Sequence, residues 1–128
     1  MRRKAEVILN ALDSPDAELS IVIADDAQIQ DLNREYLHRD RPTNVMAFPM
    51  QEGLFSGISP HMLGDIVISV DTAYTEATSA DMDFHTRFNQ LLVHGILHLF
   101  GYDHENDSKE ALRMEEKSLA LSKLIENI

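Results

Sequence analysis

Phe84–His104, FHTRFNQLLVHGILHLFGYDH, sets the reading of the whole chain. Phe84, Phe88, Leu91, Leu92, Ile96 and Leu99 recur at helical spacing, so 84–100 is expected to be the most apolar helix of the fold. Gly101 stops it, because glycine enters the left-handed conformation that reverses a chain at a helix end. His94 and His98 are four residues apart, so their rings project from one face, one turn above the other. Two imidazoles placed this way can reach one ion at about 2.0–2.1 Å. The reversal at Gly101 then brings His104 back towards the same point. Three histidines leave a fourth position open, which is the arrangement of a catalytic zinc and not of a closed structural one. Ordinary histidines attracted by the dipole at a helix C-terminus would account for the pair, but not for a third after a glycine hinge.

Towards the N-terminus, Gly64–Val70 (GDIVISV) is a strong strand, and Asp71 is expected to cap a helix with a small-residue face of Ala73, Ala77 and Ala80. Leu19–Ala24 (LSIVIA) is apolar and β-branched and reads as a buried strand. Asp25 or Asp26 caps the next helix, 26–37, which carries Ile29, Leu32, Asn33 and Tyr36 at helical spacing. Arg39–Thr43 (RDRPT) turns around Pro42. Val45–Phe48 is a short strand, and Pro49 at its end marks an edge position. Residues 50–62 read as a loop with no assignable chemistry, and 4–12 as a short first helix. Beyond His104, Asp107 and Glu110 resemble a capping box. The final helix turns Ala111, Met114, Leu121, Leu124 and Ile125 inward, with an acidic outer face. The order helix, strand, helix, strand, strand, helix, helix, helix predicts an α+β fold. It is read as a single domain over 1–128, a small mixed β-sheet covered by helices with a metalloprotease-like zinc site.

At 128 residues and 44% hydrophobic, the chain is long enough for one core. No apolar run approaches the ~18–20 residues of a membrane-spanning helix. The basic start Met1-Arg2-Arg3-Lys4 leads into Glu6, Asn10 and Asp13 rather than the unbroken apolar run of a signal peptide, so a cytoplasmic location is expected. The absence of cysteine agrees and removes thiolate ligands and cysteine nucleophiles, leaving His, Asp and Glu to hold any metal. A net charge of −11 repels polyanions in bulk. Basic residues are clustered, however, at Arg2, Arg3 and Lys4 and again at Arg34, Arg39 and Arg41.

The histidines and the glycine sit at the offsets of the metzincin protease pattern, H-E-x-x-H-x-x-G-x-x-H. Gly95 stands where that pattern has its glutamate, the general base of peptide hydrolysis, so a protease is disfavoured. His94–His104 (HGILHLFGYDH) closely resembles instead the signature of the YbeY family of metal-dependent endoribonucleases, the rRNA maturation factors. Leu32-Asn33, Tyr36, Asp40–Pro49 (DRPTNVMAFP) and Gly64–Ser69 (GDIVIS) match it in the same order, so the resemblance spans roughly residues 19–120.

That resemblance implies a single-domain α+β fold with one Zn2+ per chain, held by His94, His98 and His104. It also implies cleavage of single-stranded RNA, processing of the 16S rRNA precursor at its 3′ end, ribosome quality control, and partnership with the ribosome or ribosomal proteins, with no membrane involved. Many family members carry an arginine after the tyrosine that aligns with Tyr36; here the position is Leu37, and Arg39 and Arg41 are the candidates to supply the positive charge to substrate. Three imidazoles also suit nickel, copper or cobalt. No general base is assigned: Asp103 and Glu105 flank His104 and read as carboxylates that orient it or face solvent. Arg87, about two helical turns before His94 on the same face, reads as facing solvent. His38 adjoins the arginine turn and is a candidate to line the cleft, while His61 and His85 read as surface residues. Phe48 and Tyr102 read as core, with base stacking as a second use. Two other functions stay open: a ribosome-associated assembly factor whose metal is mainly structural, and another metallohydrolase.

Overall fold

The middle strand of the sheet is Met62–Ser69, and its composition explains its place. Ile66 and Ile68 pack into one core and Val67 into another, and all three are buried, because a strand covered on both faces needs a near-continuous apolar run. In chain order the elements are α1 (Arg2–Ala11), β1 (Glu18–Ala24), α2 (Asp26–Leu37), β2 (Val45–Pro49), β3 (Met62–Ser69), α3 (Val70–Ser79), α4 (Phe84–Leu99) and α5 (Ser108–Ile125). They are seen in a computed structural model that describes residues 1–50, 61–102 and 108–128. The order and the α+β class are those expected from the sequence. The loop expected over 50–62 falls largely outside the described residues, as does Asp107 of the expected capping box.

β3 pairs with β1 in parallel and with β2 antiparallel, in the order β1-β3-β2. β2 is therefore an edge, as Pro49 indicated, and Pro49 sits opposite Gly64. Gly64 has φ +150°, and a Cβ there would lie 2.2 Å from the Phe48 carbonyl oxygen, so only glycine lets β2 come this close. β1 corrects an expectation. It is a strand, but it forms the other edge, with Val22 and Ile23 45% and 43% exposed. A short apolar run without alternation carries no sign of whether its strand is central or peripheral.

The sheet divides two cores. On one face Ile66 and Ile68 meet Leu92, Ile96 and Leu97 of α4, joined by Ile8 and Leu9 of α1 and by Met114, Leu121 and Ile125 of α5. On the other, Ile29 of α2 packs with Ala24, Met46 and Val67. Leu124, expected inside, is exposed, and of the alanine face only Ala73 and Ala77 are buried. Ala80 is the exposed C-cap of α3.

The helix ends are set by short polar side chains. Asp25 and Gln28 form a reciprocal capping box on α2, with bonds of 2.8 and 3.0 Å. α3 is capped by Ser69 and not by Asp71, because β3 runs directly into the helix and its last extended residue becomes the N-cap. Ser69 Oγ also donates to Asp26 Oδ1 (2.6 Å), and Asp71 accepts from the Asp26 amide (3.0 Å), so the starts of α2 and α3 are tied together. α4 ends at Leu99, and Gly101 follows with φ +92°.

α4 approaches the sheet most closely at Gly95, where an added Cβ would meet Ile66 Cγ2 at 2.9 Å and Val45 Cγ2 at 3.3 Å. Gly95→Ala is therefore expected to cost about 1–3 kcal/mol by overpacking, read as a lower urea midpoint with unchanged m-value. An unshifted midpoint would show that the helix has room to lift.

Candidate metal centre and adjoining cleft

His94 and His98 stand on α4 where the helix passes β2, and both are half-buried. Their rings meet edge to face with centroids 4.5 Å apart, and the two Nε2 atoms are 2.9 Å from one another. Two nitrogens bound to a tetrahedral zinc at 2.0–2.1 Å lie about 3.3 Å apart, so a small outward turn of either ring would let both lone pairs address one ion. The donor set fits a borderline-soft divalent metal, since imidazole nitrogen is the natural ligand for one. The expected third ligand, His104, lies outside the described residues, as do Asp103 and Glu105.

A cleft of about 620 Å³ opens beside this pair. Its walls are β2, the end of α2 and the turn between them, and both Arg39 and Arg41 line it together with His94 and His98. The structure thus brings the two sequence-predicted arginines and two of the three histidines to one cavity. Neither Arg39 nor Arg41 makes an ion pair with a described residue. Arg34, the third member of that cluster, is instead spent on Asp31 (2.8 Å) and Asp40 (3.4 Å). Asp40 also accepts from Gln30 (2.9 Å), which draws its carboxylate to the outer side of α2.

The turn is held by Asn33, which the sequence places on a helix face and in a family-matching segment without indicating its role. Asn33 is 3% exposed, and its side-chain amide donates to the Arg41 carbonyl at 2.9 Å, while its own carbonyl accepts from the Arg39 amide at 3.2 Å. A polar side chain in the buried stripe of an amphipathic helix was the available signal, because such a group must find a partner. Asn44 closes the other end of the turn. Its Oδ1 accepts from the Val45 amide (2.7 Å), its Nδ2 reaches both oxygens of Glu76 (3.2 Å), and its carbonyl accepts from the Ser69 amide (2.9 Å).

Other residues differ from or refine what the sequence indicates. Arg87 does not face solvent: it pairs with Glu76 through Nε (3.1 Å) and a terminal nitrogen (3.0 Å) and donates to Gln90 Oε1 (2.8 Å). Glu76, on the preceding helix, gives no local sign in the sequence of being its partner. His38 ends α2 as an exposed left-handed C-cap and does not line the cleft. Tyr102 packs against the main core, whereas Phe48 meets Tyr36 edge to face at 5.4 Å, and both of those rings line the cleft. Leu37 lines the cleft as well and is exposed, so the position for which the family resemblance implies arginine is on the wall.

Because Asn33 fixes the turn through a buried hydrogen bond, Asn33→Ala is expected to lose about 1–3 kcal/mol of stability by leaving the Arg41 carbonyl unpaired. Amide hydrogen exchange in 39–43 should quicken beyond the global loss. Exchange that rises equally everywhere would deny Asn33 its local role.

A profile of the family described as Endoribonuclease YbeY matches residues 1–125. Over 127 residues the chain is 52% identical to the endoribonuclease YbeY of Geobacter metallireducens, covering 98% of this chain and 85% of that one. Against that of Aquifex aeolicus it is 44% identical over 121 residues, covering 94% and 79%. Its backbone is similar to the solution structure of TM1509 from Thermotoga maritima, with a TM-score of 0.69 and 28% identity over 95% of this chain and 76% of the other. The residues quoted above, from Asn33 to the histidine signature, therefore stand in a chain that belongs to the endoribonuclease YbeY family.

Proposed function

We propose that this chain is a zinc-dependent endoribonuclease, specific for single strands, that matures the 3′ end of 16S rRNA and serves ribosome quality control in the cytoplasm. Family membership supports the RNA-cleaving hydrolase. The observation that carries the reading to this site is a local inversion of charge. The chain has 22 acidic residues against 11 basic ones, yet the described residues lining the cleft at His94 and His98 include two arginines and no carboxylate. A polyanion repelled by the surface as a whole is attracted there.

The charged and aromatic wall residues each have a part in that chemistry. Arg39 and Arg41 present planar guanidinium groups that fit phosphate oxygens and offset charge growing at the phosphodiester. Tyr36 and Phe48 offer ring surface to bases that are not already stacked in a duplex, which favours a single strand. His94 and His98, with His104, would hold the zinc. When bound, the ion supplies Lewis acidity and charge neutralisation at the phosphodiester. The rRNA substrate and the ribosome as partner are what the family resemblance implies, and a cytoplasmic site of action follows from them. No helix among the described residues is long and apolar enough to cross a membrane.

Two alternatives lose ground on specific contacts. A peptidase needs a carboxylate directly after the first histidine, and here a side chain at 95 would run into Ile66 and Val45. A metal held only for stability belongs in a closed four-ligand site, whereas His94 and His98 border an open cleft.

The test is RNA cleavage by metal-analysed protein on single-stranded and structured 16S rRNA fragments. Wild type should carry one zinc per chain and cut the single strands, lose activity to chelator and recover it with zinc. His98→Ala should lose both metal and cleavage. Arg39→Ala and Arg41→Ala should keep the metal and lower kcat/KM by about 10-fold or more each, the worth of a charge-assisted contact. Full zinc with no cleavage of any fragment would turn the assignment to an assembly factor, and unchanged arginine variants would remove those residues from the substrate site.

A further inference from the structure

A second cavity, about 420 Å³, lies between α4 and α5 and shares only His94 with the arginine cleft. We propose that it is a nucleobase subsite that favours guanine, receiving the base of a nucleotide next to the phosphate held at His94. The proposal rests on the endoribonuclease reading and adds to it a preference for one base.

Charge separates the two cavities. Arg87 lines the second one, but its guanidinium is committed to Glu76 on two nitrogens and to Gln90 Oε1 on a third. Glu115, on the α5 wall, adds an exposed carboxylate. The arginine is thus neutralised and the opposite wall is negative, so a phosphate gains nothing here, in contrast to Arg39 and Arg41, which pair with no described carboxylate. The remaining groups are those that read a base edge.

The hydrogen-bond chain also fixes which groups are on offer. Arg87 only donates, so Gln90 must turn its oxygen to it, and the Gln90 amide nitrogen is left as a donor for the cavity. Asn44 has both ends of its amide occupied and contributes shape alone. Glu115 is a pure acceptor, and the Ser118 and Ser122 hydroxyls suit a ribose. Leu119, 66% exposed despite its size, gives the flat apolar contact that a base face needs. A carboxylate and an amide donor lining one cavity favour an edge with N–H groups beside a carbonyl. Guanine presents two adjacent N–H donors, N1 and N2, to a carboxylate and O6 to the amide. Adenine, cytosine and uracil each bring fewer donors to that carboxylate.

The experiment measures binding without cleavage, by anisotropy of labelled 2′-O-methyl tetranucleotides on zinc-loaded protein. One G, A or C replaces a U at each position in turn. One guanine position should tighten binding about 10-fold, within the range of a bidentate contact. Glu115→Gln, an exposed position that leaves the core intact, should erase that gain and bring the guanine strand level with the all-U strand. Arg39→Ala should weaken every strand alike. Equal binding of all sequences, or a guanine preference that survives Glu115→Gln, overturns the subsite even if zinc-dependent cleavage of unmodified RNA stands. Absence of binding by every oligonucleotide overturns the subsite and the nuclease reading together, whereas zinc content and cleavage of the unmodified strand test the latter by themselves.

Discussion

A Cβ at position 95 would lie 2.9 Å from Ile66 Cγ2, so α4 rests on the sheet at a distance only glycine permits. Much of the site follows from that contact. With α4 pressed against β2 and β3, its next residues on either side, His94 and Ile96, fall to cleft and core respectively. One turn later His98 falls to the cleft again. The same glycine removes the place where a peptidase would carry its general base. One missing side chain therefore sets the packing distance and narrows the chemistry at the same point.

The second constraint is the fixing of an exposed turn by the buried amide of Asn33 and the half-buried amide of Asn44. Asn33 and Asn44 bracket 39–43 and tie it to α2, β3 and, through Glu76, to α3 and α4. The turn can then carry two arginines that no described carboxylate neutralises. Arg34 and Asp40 satisfy each other outside the cleft, and Arg87 and Glu76 do so beyond His94. Beside the histidines, the described lining holds two arginines and no carboxylate, and this local pattern lets a chain with net charge −11 attract RNA there.

Much of this was legible in the sequence because it is local. The i, i+4 histidines, the apolar period of 84–100, the Gly101 stop and the RDRPT turn each depend on residues within a few positions of one another, and each is found where expected. What was missed depends on partners distant in sequence. Whether Leu19–Ala24 is central or peripheral is decided by which strands flank β3. Arg87 was assigned to solvent because Glu76, eleven residues away on another helix, gives no local sign of pairing with it. Ser69 displaced Asp71 as a cap because β3 ends without a linker. Asn33 and Asn44 belong to the matched family segments, but only the fold shows that their amides grip the arginine turn.

On the proposed function, RNA phosphates meet the metal at His94 and His98 within the arginine cleft. That meeting is tested most directly by loading the protein with cobalt and recording 31P relaxation of a non-cleavable single-stranded oligonucleotide. The account predicts strong paramagnetic relaxation at one or two phosphates. That relaxation should vanish when His98→Ala removes the metal and weaken when Arg39 and Arg41 are both alanine. An oligonucleotide that binds the cobalt-loaded protein tightly while all its phosphates relax as in the metal-free protein would contradict it, placing the RNA elsewhere on the molecule.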